Sequence, residues 1–504
     1  MVARCYTVAL TGIEARLVDV QCSVVAALPS FNIVGLPDKA VSESKERVRA
    51  ALNSLSIALP PKRITVNLAP ADVPKVGNHY DLPIALALLA ALDVIPAETT
   101  QNSIVMGELA LDGSIGPIVG ALPAAFTALE QGKTYLGPTA NAAEAAAIAP
   151  NISFGADHLQ HFISHLSGTH LLRHATPLDV EASDQSRPAL RDIRGQERAK
   201  RALEIAVAGG HHLFLVGPPG SGKTMLAERA ADLLPPLSAQ EALDTATIYS
   251  ACGLLKDGVL RRTRPFRAPH HTASSAAIIG GGRLAGPGEI SLAHHGILFM
   301  DEFPEFARPV LEALRQPLES GTVAISRAAA HVEYPAKFSL IAAANPCKCG
   351  FAGHPARACN RAPNCSQDYM GRISGPLLDR FDLRLDVPAV PAHELESVPS
   401  GDTSGVVRDR VIAARARQAA RFQDDAARAL NCDLLGQPTE PAIALDAASK
   451  DLMRQAAEKF SLSARGYGRV LRVARTIADL DQSDQVHSAH VAEALSFRFE
   501  GISR

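Results

Sequence analysis

The chain contains no tryptophan, and aromatic residues make up only 5% of it. Stacking of unpaired bases on aromatic platforms is therefore excluded as its main mode of recognition. It also lacks a net charge of either sign, since 50 basic residues stand against 52 acidic ones and the pI is near 6.8. That balance excludes a globally basic coat for nucleic acid and confines any such contact to a local surface or a lined channel. A run of ~18 consecutive apolar residues, the length needed to cross a bilayer, is missing. The opening MVARCYTVALTGIEARLV has no charged segment followed by a sustained apolar one. A cytoplasmic protein with no membrane partner is expected.

The eight cysteines do not form a secreted disulfide framework. Cys5, Cys22, Cys252 and Cys432 are scattered and are expected to be small buried hydrophobes. Cys347, Cys349, Cys359 and Cys365 instead fall within 19 residues of a Gly- and Pro-bearing segment. Four soft ligands suit tetrahedral Zn²⁺, and a reducing compartment disfavours disulfides. The spacing departs from paired C-x-x-C motifs, and His354 is an alternative ligand, so a structural zinc and a metal-free loop both stand.

What is present is a phosphate-binding loop. Gly217, Pro218, Pro219, Gly220, Ser221, Gly222, Lys223 and Thr224 read GPPGSGKT between the apolar run HLFLV and the helix-like MLAERAADLL, the strand, loop, helix context that the motif requires. The glycines let backbone N–H groups face the phosphates of ATP. Lys223 reaches the β- and γ-phosphates, and the Thr224 hydroxyl serves Mg²⁺. Further along, GILFMDEF sets Asp301 and Glu302 at the end of an apolar strand. The first acid suits the Mg²⁺ shell and the second can polarise an attacking water, so hydrolysis is favoured over phosphoryl transfer. His270 and His271, with His294 and His295, read as packing or loop hydrogen bonding rather than metal ligation, because neighbouring side chains on a strand point to opposite faces.

At 504 residues the chain exceeds one ordinary core. Residues 1–168 mix strand-like and helical runs as an α+β unit. Residues 169–191 form a polar linker, 192–390 alternate as a parallel α/β sheet requires, and 391–504 are helical.

Taken in order, the P-loop, DIRGQERAKRALEIAVAGGHH, RPFRAPHHTAS, PGEISLAHHGILFMDE, AAANPCKCG and GPLLDRFDL resemble the ComM/YifB family of magnesium-chelatase-like AAA+ ATPases, and the likeness runs almost end to end. It implies an α/β AAA+ P-loop NTPase core, an N-terminal Lon-protease-like α+β domain and a C-terminal helical lid. It further implies a hexameric DNA helicase that drives branch migration on single-stranded and branched DNA during natural transformation. By the same resemblance Asn345 matches the polar sensor that orients the hydrolytic water. Arg380 matches an arginine finger given to the neighbouring subunit's nucleotide. Arg465 matches the second sensor on the lid, with Arg469 one turn away as a substitute.

Two insertions are candidates for a DNA channel. One carries Arg283 at its Gly-rich tip, and the other is a hairpin with Arg327 near its tip. Copies around a ring would multiply few charges into many phosphate contacts. In the Lon-like domain the expected serine falls near Asn78 and His79 and the expected lysine near Pro123, so no nucleophile and base are paired and a non-catalytic role is expected. A chelatase-type metal-insertion ATPase and a protein-remodelling machine are the alternatives. The former needs a porphyrin-binding partner, and the latter lacks an aromatic-apolar pore pair.

Overall fold

The structure is a computed structural model that describes residues 2–177, 190–255, 259–282, 285–327, 330–352, 359, 363–395, 401–425, 428–437 and 439–498. It divides into two compact units, one of residues 1–182, 238–262 and 326–332, the other of 183–237, 263–325 and 333–504.

The first unit is built on a seven-stranded sheet. Its order is Ser30–Val34, Arg63–Ala69, Glu14–Val25, Val2–Thr11, Ser103–Val105, Thr134–Gly137, Ser153–Gly155. The long hairpin at its centre pairs Val8 with Leu17 and Cys5 with Val20. Gly12, with φ 67°, supplies the left-handed backbone that the two-residue turn needs. Cys5 and Cys22 are fully buried in this sheet, as expected, and burial pushes the Cys22 thiol up to about 12. The helix Asp81–Ala91 is apolar on every face and is buried from Asp81 to Ala90.

The first residue of that helix is a buried charge. Asp81 is fully buried and takes hydrogen bonds from Arg47 Nε at 2.6 Å, Arg47 Nη2 at 2.9 Å and the Leu109 amide at 3.2 Å. Removing one partner of such a pair leaves a charge without compensation. Asp81→Ala is therefore expected to destabilise the unit by about 3–5 kcal/mol in urea unfolding. A loss below about 1 kcal/mol would show that water reaches Arg47 in the variant.

The segment compared with a serine–lysine protease site is occupied otherwise. Asn78 donates to Glu108 Oε1 at 2.8 Å, and the buried His79 ring sits 2.9 Å from the Val8 carbonyl. Lys75, also buried, donates to the Pro70 carbonyl. Pro123 lies within the helix Ala121–Glu130.

One helix of this unit comes from the middle of the ATPase sequence. Ala239–Ala251 starts on a capping box, with Ser238 and Glu241 exchanging hydrogen bonds. Near its other end, Ser250 accepts from the amides of Gly120 at 3.1 Å and Leu122 at 3.3 Å at the start of Ala121–Glu130. The expected unbroken stretch 192–390 is thus interrupted, because these contacts are non-local and leave no sequence signature.

In the second unit five parallel strands run in the order Phe266–Arg267, Ile297–Met300, Ser339–Ala344, Leu213–Val216, Leu383–Asp386. The C-terminal helices do not form a compact unit of their own. Ser404–Arg421 and Ala464–Leu480 pack on Glu197–Gly209, and one hydrophobic core runs from Leu190 through Leu213 and Val411 to Phe497. No helix of the described residues is long and apolar enough to cross a membrane.

Candidate nucleotide site

The strand Leu213–Val216 is wholly buried and ends in the phosphate-binding loop. Its register pairs Val216 with Ala344, so Asn345 follows level with Gly217, whose amide donates to the Ala344 carbonyl at 3.1 Å. A Cβ at Gly217 would lie 2.2 Å from the Val387 carbonyl oxygen, so only glycine fits. The helix Lys223–Leu233 then begins on Gly222, and no side chain caps it. Its first N–H groups are left for an anion. Ser221 Oγ is buried there without a protein partner, a second sign that the loop is shaped for a ligand.

Lys223 is buried and folds back over the loop. Its Nζ donates to the carbonyls of Gly217 at 2.7 Å and Pro218 at 2.9 Å, and to Asn345 Oδ1 at 3.3 Å. Burial pulls its ammonium below the ordinary lysine range, and the charge of Asp301 works against that shift. Thr224 Oγ1 donates to Asp301 Oδ2 at 2.8 Å. The central strand Ser339–Ala344 lies between the strands that deliver Lys223 and Asp301, so Asn345 falls between the phosphate cradle and the acids. These side chains fit Mg²⁺-ATP: Thr224 and Asp301 are the residues that could hold the metal, and Lys223 the one that could reach the terminal phosphates.

Glu302 follows in a left-handed conformation, φ 49°, with its amide donating to Asp301 Oδ1 at 2.8 Å. Its carboxylate meets His271, Oε2 to Nδ1, at 3.0 Å. His271 thus meets a carboxylate beyond the packing or loop hydrogen bonding expected of it. His294 does serve a loop, accepting from the Lys337 amide at 3.0 Å.

Arg380 is placed differently from an exposed finger. It is 6% exposed, and its guanidinium donates to the carbonyls of Arg315 at 3.1 Å and Pro376 at 2.7 Å and pairs with Glu319. Two residues on, Asp382 ties this segment to the P-loop strand and the last helices. Its carboxylate accepts from the His212 amide at 3.2 Å and lies 3.5 Å from His211 and 3.8 Å from Arg469. Burial would raise the Asp382 carboxyl, but the proximity of His211 and the charge of Arg469 hold it well below the usual carboxylate range. Arg469 is thus half-buried beside Asp382, whereas Arg465 is exposed in the first turn of Ala464–Leu480.

A cleft of about 540 Å³ opens beside the loop, lined by Gln196, Glu197, Asp386, Pro388 and Glu394. Gln196 Nε2 bridges the carbonyls of Pro388 at 2.6 Å and Ser221 at 3.4 Å. Nothing in the spacing of the GQE segment marks this bridge.

The four clustered thiols converge, with all sulfurs within 4.8 Å of one another and Cys347 and Cys349 at 3.1 Å. Tetrahedral Zn–S bonds imply sulfur separations of roughly 3.8 Å, which the cluster brackets. The Ala352 amide donates to Cys347 Sγ at 3.3 Å, as it would to a thiolate. A Cβ at Gly350 would lie 2.7 Å from the Pro219 ring, so this loop packs on the phosphate-binding loop itself. His354 lies outside the described residues.

The expected hairpin is present, as strands Thr322–Arg327 and Ala330–Pro335, with Arg327 ending the first. The other insertion forms the short ribbon Gly280–Gly281 with Gly286–Pro287. Arg283 lies outside the described residues, as does the side chain of Arg327.

A parallel sheet in this order, with the P-loop and the acidic strand separated by the asparagine strand, is the arrangement of an AAA+ ATPase domain. The magnesium chelatase subunit ChlI family matches residues 189–395, its C-terminal family matches 401–498, and a further ChlI family matches 20–141. YifB of Salmonella typhimurium is 44% identical over 497 residues, covering 98% of this chain and 96% of its own. Competence protein ComM of Haemophilus influenzae is 42% identical over 499 residues, with the same coverage of 98% and 96%. More distantly, human DNA helicase MCM8 is 28% identical over 196 residues, 38% of this chain and 20% of that protein. The chain belongs to the ComM/YifB family of magnesium-chelatase-like proteins.

Proposed function

We propose that the protein is an ATP-driven DNA translocase. It assembles as a hexameric ring in the cytoplasm and promotes branch migration while incoming DNA is integrated in natural transformation. The assembled cradle of Lys223, Thr224, Asp301 and Asn345 carries this proposal, together with near full-length similarity to a competence protein and local similarity to a DNA helicase. In it Asp301 and Thr224 hold Mg²⁺, Glu302 polarises the attacking water, Asn345 orients it, and Arg465 senses the nucleotide from a helical lid. Arg380 acts on the neighbouring subunit's nucleotide. Arg283 and Arg327 meet DNA phosphates, and the Lon-like domain serves assembly or docking without hydrolysing peptides.

Three-strand branch migration by the full chain is the test. Product should accumulate with ATP and not without it, and ATPase activity should rise with branched DNA rather than with unfolded protein. Stimulation by unfolded protein alone would favour a remodelling machine instead.

The cysteine cluster holds a structural zinc in this proposal. Purified protein should contain about one Zn per subunit, lost on combining Cys347→Ser with Cys349→Ser. Because Gly350 packs on Pro219, the zinc-free variant should also bind ATP more weakly in equilibrium dialysis. A fully active protein free of metal would overturn the assignment.

A further inference from the structure

We propose that the helix Asn364–Met370 braces the hydrolytic site, and that Ser366 and Tyr369 are positioning residues that hold Asn345 in place. The proposal rests on the reading of Asn345 as the group that orients the attacking water, and not on any contact with DNA.

The strand Ser339–Ala344 ends one residue before Asn345, so the ladder stops short of the side chain whose position matters. Local chemistry restrains that side chain only in part. The proline that follows confines Asn345 to extended backbone, yet Pro346 has no N–H and can be tied from outside only through its carbonyl. Asn345 Oδ1 accepts from Lys223 Nζ at 3.3 Å, beyond the usual span of such bonds. A group that aims a water must be held to within roughly half an ångström.

The missing hold comes from a helix further along the chain. Cys365, Ser366 and Tyr369 fall within an arc of about 100° on Asn364–Met370, and they meet three consecutive residues in reverse order. Tyr369 is buried, and its hydroxyl accepts from the Asn345 amide. Ser366 Oγ donates to the Pro346 carbonyl at 2.7 Å. Cys365 meets Cys347 in the thiol cluster, their sulfurs within 4.8 Å. The helix therefore lies antiparallel along the chain as it leaves the sheet, with one contact to each residue from 345 to 347. Just beyond it Arg372 pairs with Glu305 at 2.8 Å. That side chain is 47% exposed, and an exposed pair contributes little. The hold on Asn345 thus lies in the two hydroxyls.

The test is ATP hydrolysis by the full chain, with kcat, KM and melting temperature measured for Asn345→Ala, Ser366→Ala, Ser366→Thr and Tyr369→Phe. Ser366→Ala and Tyr369→Phe are also each combined with Asn345→Ala. Alone, these two should each lower kcat about tenfold and leave KM for ATP and the melting temperature unchanged. Ser366→Thr keeps the hydroxyl and should stay near wild type. In the Asn345→Ala background neither change should cost anything further, because a residue acting through Asn345 has nothing left to position. Wild-type kcat in either Ser366→Ala or Tyr369→Phe overturns the brace. So does a full further loss in the Asn345→Ala background, or a fall in Ser366→Thr equal to that in Ser366→Ala. Asn345→Ala separates the two levels of the argument. If it is slow while the hydroxyl variants are not, only the brace is lost; if it hydrolyses at the wild-type rate, the reading of Asn345 fails and the brace with it.

Discussion

Glu302→Gln is expected to bind ATP at wild-type strength and hydrolyse it slower by about two to four orders of magnitude. Lys223→Ala should instead lose nucleotide affinity. The geometry separates the two effects. Lys223 is enclosed by the loop carbonyls and Asn345, so its removal opens the phosphate cradle. Glu302 makes no contact with that cradle through its carboxylate, which faces His271. Equilibrium binding of a fluorescent ATP analogue and single-turnover hydrolysis measure the two quantities independently. Equal loss of binding in both variants would show that Glu302 belongs to the cradle.

The second large effect concerns Arg380. As an arginine finger it should contribute about 10³-fold or more to hydrolysis in the next subunit. In the isolated chain, however, its guanidinium is held by two backbone carbonyls and Glu319. Reaching a neighbour's γ-phosphate therefore requires exchange of one carboxylate for another anion, and Glu319 is the partner that can yield because its side chain is half exposed, at 53%. Arg380→Ala should bind ATP through its own intact loop yet hydrolyse it slowly. Mixed with Lys223→Ala subunits, it should regain activity above the sum of the two, since some interfaces then join an intact loop to an intact finger. If wild-type subunits exchange and the mixture regains nothing, Arg380 is a structural anchor of its own chain.

What the sequence made legible follows from locality. The P-loop, the acids after GILFM and Asn345 after FSLIAAAN are each strand ends written in a few contiguous residues, and strand order then assembles them. The hairpin with Arg327 near its tip was legible for the same reason. The converging thiols were suggested by clustering alone, although their irregular spacing hid the fold of the loop. Four features depend on residues far apart in the chain and left no local pattern. The helix Ala239–Ala251 joins the first unit through Ser250 and the amides of Gly120 and Leu122. The C-terminal helices share the core of the ATPase sheet. His271 reaches Glu302 only because two strands separated by an insertion share a register. The sequestration of Arg380 belongs with these, since its motif specifies the side chain but not the Glu319 partner.

The placement of Ser339–Ala344 between the two functional strands limits how this ATPase can be altered. Its residues from Leu340 to Ala344 are all buried, and three of them are alanines with no atoms to spare. A larger side chain at Ala343 would stand out of the plane of the sheet into the packed core and force this strand out of line with both neighbours, moving Lys223 away from Asn345 and Thr224 away from Asp301 in one motion. Substitutions in this strand should therefore weaken ATP and Mg²⁺ affinity in fixed proportion, whereas substitutions at the loop or at the acids can dissociate the two.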